Sequence, residues 1–287
     1  MVFLFEIIKY IILGLIQGIT EVLPVSSSGH VAFVQEVFKF DIDNSVFFLI
    51  ILNLGSMIAV FYYLRKDIIE MLRDFLKYVF QKNREKIVVK SFCYIRNVII
   101  GIIPLFIFGY FLNLLIYPFY ESNPLIMIGI GSLATATILY VIRNVTNSNI
   151  NKEFTGKDSF FIGIVQIISI LPGLSRLGVT TAAGLHRKLS MDSALKFTFI
   201  MFIPISIGAI FQQVITAEFN PEQIVTSFDF TNVLHYIYYL SAFAVSIVTT
   251  YFALKWVFIW FRRGKLGFFY IYNFIFGFAA LIIGIRG

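Results

Sequence analysis

Cysteine is almost missing from this 287-residue chain: Cys93 stands alone, which excludes an internal disulfide and any cysteine-based metal cluster. Charge is scarce as well. Asp, Glu, Lys and Arg make up 14% of the residues while hydrophobic residues reach 59%, so the usual charged surface of a soluble globular protein is not there. Lys and Arg are absent from 118–123 and from 217–231. Residues 1–20 lack a basic start and a small-residue processing site and carry Glu6 and Lys9 inside the apolar run, so they are expected to be structural and not a removed leader.

What the chain has in excess is long apolar runs. Those at 44–64, 97–117, 124–142, 194–216, 235–259 and 267–285 reach the roughly 17 to 25 residues that a spanning helix needs. The composition therefore predicts an all-α integral membrane protein with one domain, 1–287. Basic residues crowd the connection from Arg65 to Arg96, with further clusters at Arg143/Lys152/Lys157, His186/Arg187/Lys188 and Arg262/Arg263/Lys265. The positive-inside tendency makes these cytoplasmic and 118–123 and 217–231 external. The net charge of +7 thus reads as topology and contact with the inner leaflet, with no nucleic-acid partner. The sequon Asn144-Val145-Thr146 falls on the cytoplasmic side and reads as chance.

Shorter apolar segments at 2–20, 25–38, 159–171 and 176–188 come in pairs, and each pair is interrupted by a similar break: Leu23-Pro24-Val25-Ser26-Ser27-Ser28 and Leu171-Pro172-Gly173-Leu174-Ser175-Arg176. Each break follows an apolar run with a lone glutamine, Gln17 or Gln166. Unpaired backbone at membrane depth survives only where it lines a protein cavity, so both breaks are candidate sites. Each half is then a re-entrant helix pair followed by three transmembrane helices. Three is odd, so the halves, approximately 1–142 and 159–287, are expected to form an inverted-topology repeat whose broken helices meet near the bilayer midplane. The parity is the same if both members of a pair cross fully, so spacing leaves re-entrant and spanning pairs open.

The first break holds acid, hydroxyl and imidazole. Gln17 and Glu21 are four apart and share a helix face. A carboxylate at the centre of a span costs roughly 2.5 to 3.5 kcal/mol on insertion scales, so Glu21 is expected to have a partner or a watery site, the alternative being an acid that snorkels to the outer surface. Ser26, Ser27 and Ser28 suit either phosphate binding or the plain capping of a return helix. Ser27 and His30 are three apart, which brings hydroxyl and imidazole to one side of a helix starting near Ser26. The second break supplies positive charge. Arg176 follows Ser175 in an apolar setting, with Thr180 four residues on, and its planar fork suits phosphate oxygens. An Arg176–Glu21 ion pair that merely ties the halves together is the structural alternative.

Gln17-Gly-Ile-Thr-Glu21-Val-Leu-Pro-Val-Ser-Ser-Ser-Gly-His30 together with Pro172-Gly-Leu-Ser175-Arg176-Leu-Gly-Val-Thr180 resembles the undecaprenyl-diphosphate phosphatases associated with bacitracin resistance. The blocks Leu54–Val60 and Phe197–Ala209 fit too, so the likeness spans nearly the whole chain. The resemblance implies a bacterial plasma-membrane enzyme, multi-pass, that hydrolyses undecaprenyl diphosphate to the monophosphate and inorganic phosphate, recycling the lipid carrier for peptidoglycan and other wall polymers. It implies Glu21, Ser27, His30 and Arg176 as catalytic, Ser26, Ser28, Ser175, Arg176 and Thr180 as phosphate-binding, and a divalent cation, Mg2+ or Ca2+, held by Glu21 with Gln17. A polyprenyl diphosphate substrate and the bilayer are the expected partners, and a homodimer is compatible with both. The site is expected to open to the outer face. Two positions depart from the pattern: Leu177 stands where a serine is common, and Tyr272-Asn273 where Tyr-Arg is. Nucleophile identity, between Ser27, His30 and water, stays open. So does a rival function, a transporter or translocase of a polyprenyl diphosphate or another anion, because inverted repeats with broken helices are transporter architecture.

Overall fold

The structure, a computed structural model, describes residues 2–40, 46–145, 154–219, 233–262 and 266–286. Lys152, Arg263, Lys265, Thr146 of the sequon and 220–231 of the expected external connection lie outside these. All regular structure among the described residues is helical: α1 (Val2–Glu21), α2 (Ser27–Val37), α3 (Val46–Phe80), α4 (Lys86–Ser122), α5 (Pro124–Ile142), α6 (Gly156–Gln166) with a 3-10 turn at Ile167–Ile170, α7 (Arg176–His186), α8 (Met191–Phe219), α9 (Val233–Arg262) and α10 (Gly267–Arg286).

Seven of these, α1, α3, α4, α5, α8, α9 and α10, are long and apolar enough to cross a membrane, and the protein is an all-α, multi-pass membrane protein. Large apolar side chains such as Phe106, Phe111, Leu115 and Trp256 face outward, the reverse of a soluble surface and the form lipid requires. The described parts of the six runs expected to span fall within α3, α4, α5, α8, α9 and α10, the first of them, 44–64, from Val46 onward. The seventh bears on a point the spacing leaves open: α1, grouped by sequence with the shorter segments, has 20 residues and is about 30 Å long at 1.5 Å per residue, as thick as the hydrocarbon core. Its two early charges do not prevent this, because Lys9 Nζ lies 2.7 Å from Glu6 Oε1. By contrast α2, α6 and α7 have 11 residues each, about 16 Å and half a crossing. The first pair is therefore one long helix and one short one, and the second pair is short throughout.

The connection between Arg65 and Arg96 is also more ordered than a loop. Helix α3 runs on to Phe80 and α4 starts at Lys86, so two basic extensions lie side by side. Their contact is an aromatic seam, with Tyr78 and Phe92 stacked at 4.0 Å and Phe75 and Phe92 at 5.8 Å between ring centroids. Ser91 Oγ donates to Asp74 Oδ2 at 3.2 Å, and Lys77 Nζ lies 3.7 Å from Asp74 Oδ1.

Packing pairs elements from opposite halves. Helix α1 lies along α9, α5 along α10 and α4 along α6, while α3 meets both α8 and α9. Tyr10 stacks on Tyr238 at 5.2 Å and meets the edge of Phe48 at 5.2 Å. Deeper in, hydroxyls join α3 to α9: Ser56 and Ser246 Oγ are 3.0 Å apart, Thr250 Oγ1 donates to Ser56 Oγ at 3.1 Å, and Ser246 Oγ donates to the Leu52 carbonyl at 3.0 Å. Small polar residues of this kind are how helices adhere where there is no water to drive them together.

Candidate active site

Both breaks are pinned by the α5/α10 pair, one from each helix. From α10, Asn273 Nδ2 donates to the carbonyl of Pro24 at 2.9 Å. From α5, Thr135 Oγ1 accepts the Ser175 backbone N–H at 2.9 Å, and Ser132 and Thr135 hydroxyls approach the Gly173 carbonyl at 3.4 Å. Backbone left bare by the broken helices thus finds side-chain partners inside the protein, as lipid demands. The turns themselves need unusual backbone. Ser26 has φ +61° and Gly173 φ +83°; a side chain at Gly173 would run into the backbone of Ile128. A serine held at positive φ costs about 1–3 kcal/mol and persists only where its surroundings over-determine it, a pattern concentrated at functional sites.

The breaks touch. A Cβ built at Gly29 lies 3.0 Å from Gly173 Cα, and one built at Gly178 lies 3.6 Å from Pro24 Cβ. Beside this contact a narrow cavity of about 20 Å³ is lined by Glu21 from the end of α1, Arg176 and Leu177 from the start of α7, Val60 of α3, and Thr198, Phe199 and Phe202 of α8. Carboxylate and guanidinium from opposite halves therefore share one chamber. They do not pair: among the described residues Arg176 has no ion pair or hydrogen bond through its guanidinium, which sits over the Phe202 ring at 5.7 Å. The tie between halves that sequence left open as an alternative is not formed.

Glu21 is the hub on the first side. Its Oε2 accepts from Gln17 Nε2 at 2.8 Å and from Ser27 Oγ at 2.5 Å, and Gln17 Nε2 also donates to Asn53 Oδ1 at 2.9 Å. Both bonds to Glu21 fall on Oε2. Asn53 was not singled out by sequence, although it is the one amide between Val46 and Leu64 and a polar residue inside a span is a functional signal.

His30 faces another way. It is buried, stacked on Phe276 at 3.9 Å, with Nδ1 2.7 Å from the Ser26 carbonyl and Nε2 2.8 Å from the Tyr272 hydroxyl. A carbonyl only accepts, so Nδ1 carries the proton and Nε2 of the neutral ring accepts from Tyr272. The spacing placed His30 beside the Ser27 hydroxyl; that hydroxyl goes to Glu21 instead, and the imidazole is held by the far end of the chain. Tyr272 is thus a second residue whose role the sequence pattern did not give.

The remaining candidates divide. Ser26 is the residue before α2 and is buried, yet its side chain makes no capping bond; Ser28 is exposed. Ser175, 2% exposed, accepts from Gly178 N–H at 3.2 Å as the N-cap of α7. Thr180, 1% exposed, donates to the Arg176 carbonyl at 2.8 Å and accepts from Thr198 at 2.9 Å, so Thr198 and not Thr180 borders the chamber. Gln166, the counterpart of Gln17, is buried with neither amide atom bonded among the described residues. Asn273, where Arg was the expected pattern, has become the anchor of the first break. Among the described residues no three His, Cys, Asp or Glu are grouped as a metal cluster. The oxygens gathered around Gln17, namely the Glu21 carboxylate, the Asn53 amide and the Ser27 hydroxyl, are the hard ligands that Mg2+ and Ca2+ prefer. One carboxylate is enough where a phosphate substrate completes the shell.

Comparison with known proteins gives the family. Residues 10–279 match the family described as bacitracin resistance protein BacA. A protein of Oceanobacillus iheyensis named undecaprenyl-diphosphatase is 32% identical over 278 residues, covering 96% of each chain. Undecaprenyl-diphosphatase 1 of Bacillus licheniformis is 34% identical over 283 residues, 96% of this chain and 97% of the other. An undecaprenyl-diphosphatase of Acholeplasma laidlawii is 37% identical over 210 residues, 71% of this chain and 74% of its own. With matches running through both breaks and almost every helix, the chain belongs to the bacitracin resistance protein BacA family.

Proposed function

We propose that this protein is a membrane-embedded undecaprenyl-diphosphate phosphatase, releasing inorganic phosphate and undecaprenyl phosphate. The observation that carries the reading is one chamber shared by Glu21, whose carboxylate also accepts from Ser27, and by Arg176, which has no acidic partner among the described residues. A guanidinium at this depth costs roughly 2.5 to 3.5 kcal/mol on insertion scales; left without an acid, it is suited to clamp the non-bridging oxygens of a diphosphate. The apolar walls formed by Val60, Phe199 and Phe202 suit the first isoprene units.

Phosphoryl transfer needs positioning and charge neutralisation more than covalent machinery. In the proposed step Ser27 Oγ attacks the terminal phosphorus, its proton passes to Glu21, and the bond from phosphorus to the bridging oxygen breaks to release undecaprenyl phosphate; water then hydrolyses the phosphoserine. Ser27 is preferred over His30 as nucleophile because its hydroxyl already donates to a carboxylate, whereas both His30 ring nitrogens are engaged elsewhere. His30 supports the break through the Ser26 carbonyl. A divalent cation would be held by the Glu21 carboxylate with the Asn53 amide oxygen, and with Gln17 once its amide, which now donates to both, turned its oxygen towards them; it would supply neutralisation of diphosphate charge.

Three finer features belong to the same proposal. The halves form an inverted repeat, supported by the exchange of partners: α1, which opens the first half, lies along α9 of the second, and α6, which opens the second, lies along α4 of the first. The short helices α2 and α7 are re-entrant, since each is half a crossing long. Access is from the outer face of a bacterial plasma membrane, supported by α2 leading from Ser27 towards the end of α4, where Ala32 and Phe33 pack with Tyr120 and Leu125 beside the Lys- and Arg-free 118–123. The test is phosphate release from farnesyl diphosphate by the purified protein in detergent, where no membrane separates two sides. Turnover is expected; tight binding without release would mean a carrier.

A further inference from the structure

We infer that the protein has a second anion site, on its basic side, built for the phosphate headgroup of an anionic lipid. A cavity of about 440 Å³ opens between α3, α8 and α9, lined by Tyr63, Asp67, Lys196, Lys255, Phe258 and Arg262 among others. It is distinct from the catalytic chamber, with aromatic rings between them: Phe199 of that chamber packs against Phe258 of this one at 5.6 Å, and Tyr63 stacks on Phe258 at 5.6 Å.

Its charge is positive after internal pairing is counted. Lys196 Nζ bonds Asp67 Oδ1 at 2.5 Å, and Arg262 Nε bonds Asp192 Oδ1 at 2.7 Å, which leaves the terminal amino groups of Arg262 outside that pair. Lys255 has no acidic partner among the described residues; its ammonium lies over Tyr251 at 4.5 Å and Phe252 at 5.5 Å. The site thus offers a lone ammonium, one end of a guanidinium and the Tyr63 hydroxyl around a space of headgroup size, and these are donors for phosphate oxygens.

A lipid is favoured over a free anion by what surrounds Lys255. On α9, Phe252, Trp256 and Ile259 are 57%, 68% and 46% exposed, and they flank Lys255 as an apolar, lipid-facing surface that leads directly to the cavity mouth. An acyl chain can lie along that surface while its phosphate reaches the basic groups. Tryptophan is the side chain expected at the headgroup level. The side is the one the positive-inside tendency makes cytoplasmic, where anionic lipids attract basic groups.

The experiment is native mass spectrometry of the purified full chain with palmitoyl-oleoyl phosphatidylglycerol or the matching phosphatidylcholine, on wild type, Lys255→Gln and Arg262→Gln. Wild type is expected to retain phosphatidylglycerol over phosphatidylcholine, and each substitution to weaken that retention about fivefold, the effect of one basic group near a charged lipid surface. Phosphatase turnover in both variants should match wild type, showing that they fold. The proposal is overturned by equal retention of the two lipids, by Lys255→Gln binding phosphatidylglycerol as wild type does, or by millimolar inorganic phosphate displacing the lipid completely, which would make the pocket a free-phosphate site. Because the readout is lipid retention, loss of this site and loss of phosphatase activity are separate results.

Discussion

Glu21→Gln tests the catalytic pairing with little change of shape. The substituted amide oxygen can still accept from Gln17 Nε2 and Ser27 Oγ, which lie 2.8 and 2.5 Å from Glu21 Oε2, so the packing of the first break should hold. What disappears is the negative charge and the ability to take the Ser27 proton. Removing a positioned general base lowers turnover by about 10²- to 10⁴-fold, which is about 3 to 5 kcal/mol of barrier. Ser27→Ala should fall by a similar factor, leaving whatever Arg176 binding alone provides. If the two groups act as a unit, the double variant should be no worse than the poorer single, since residues that share one step are strongly non-additive. The assay is single-turnover phosphate release from farnesyl diphosphate at saturating substrate, with monodispersity in detergent as the folding control. The reasoning fails if Glu21→Gln keeps turnover within about threefold of wild type, well short of a lost base, or if the double variant loses the product of the two single factors.

Other substitutions test the neighbouring parts. Arg176→Lys keeps the charge but not the planar fork, and should cost about 10²-fold in kcat, the scale of one lost transition-state donor; near-normal turnover would remove the clamp. Tyr272→Phe deletes the 2.8 Å contact to His30 Nε2, and a net hydrogen bond of about 1 kcal/mol predicts a modest fall in thermal stability. A His30 imidazole NMR signal unchanged by Tyr272→Phe would show that the contact is not made. Gly173→Ala adds a Cβ at φ +83° against the Ile128 backbone; the conformation alone costs about 1–2 kcal/mol, and a large drop in melting temperature in detergent is expected, whereas a wild-type value would contradict the tight second turn.

Much of this fold can be read from sequence because lipid imposes simple demands: six long apolar runs had to be helices, and the Pro/Ser and Pro/Gly breaks had to be sheltered. The status of α1 was not legible because the spacing allows 2–20 either to turn back or to cross; its 20 helical residues make it long enough to span. Of the site, Glu21 and Arg176 were legible as charges in apolar surroundings that had to face a cavity. The partner of Ser27 was not legible, because helical spacing puts His30 on its side while the hydroxyl turns back across the break to Glu21, a contact no periodicity encodes. Asn53, Thr198 and Tyr272 were missed for the same reason: each reaches the site from a distant helix, and single polar residues in spans carry a signal without an address. Ser175 and Thr180 looked like phosphate donors by type, yet their hydroxyls are engaged by the first turn of α7 and by Thr198.

The central claim, that the two breaks meet, can be measured without any activity. A Cβ at Gly178 would stand 3.6 Å from that of Pro24, inside the roughly 3.5–4.5 Å range of a disulfide, and Cys93 is the only native thiol to remove. In a Cys93→Ser background, Pro24→Cys with Gly178→Cys should form an intramolecular disulfide in native membranes under a mild, membrane-permeable oxidant, seen as a reductant-sensitive gel shift. If both thiols react with a small alkylating reagent but never with each other, the opposed breaks do not form one chamber.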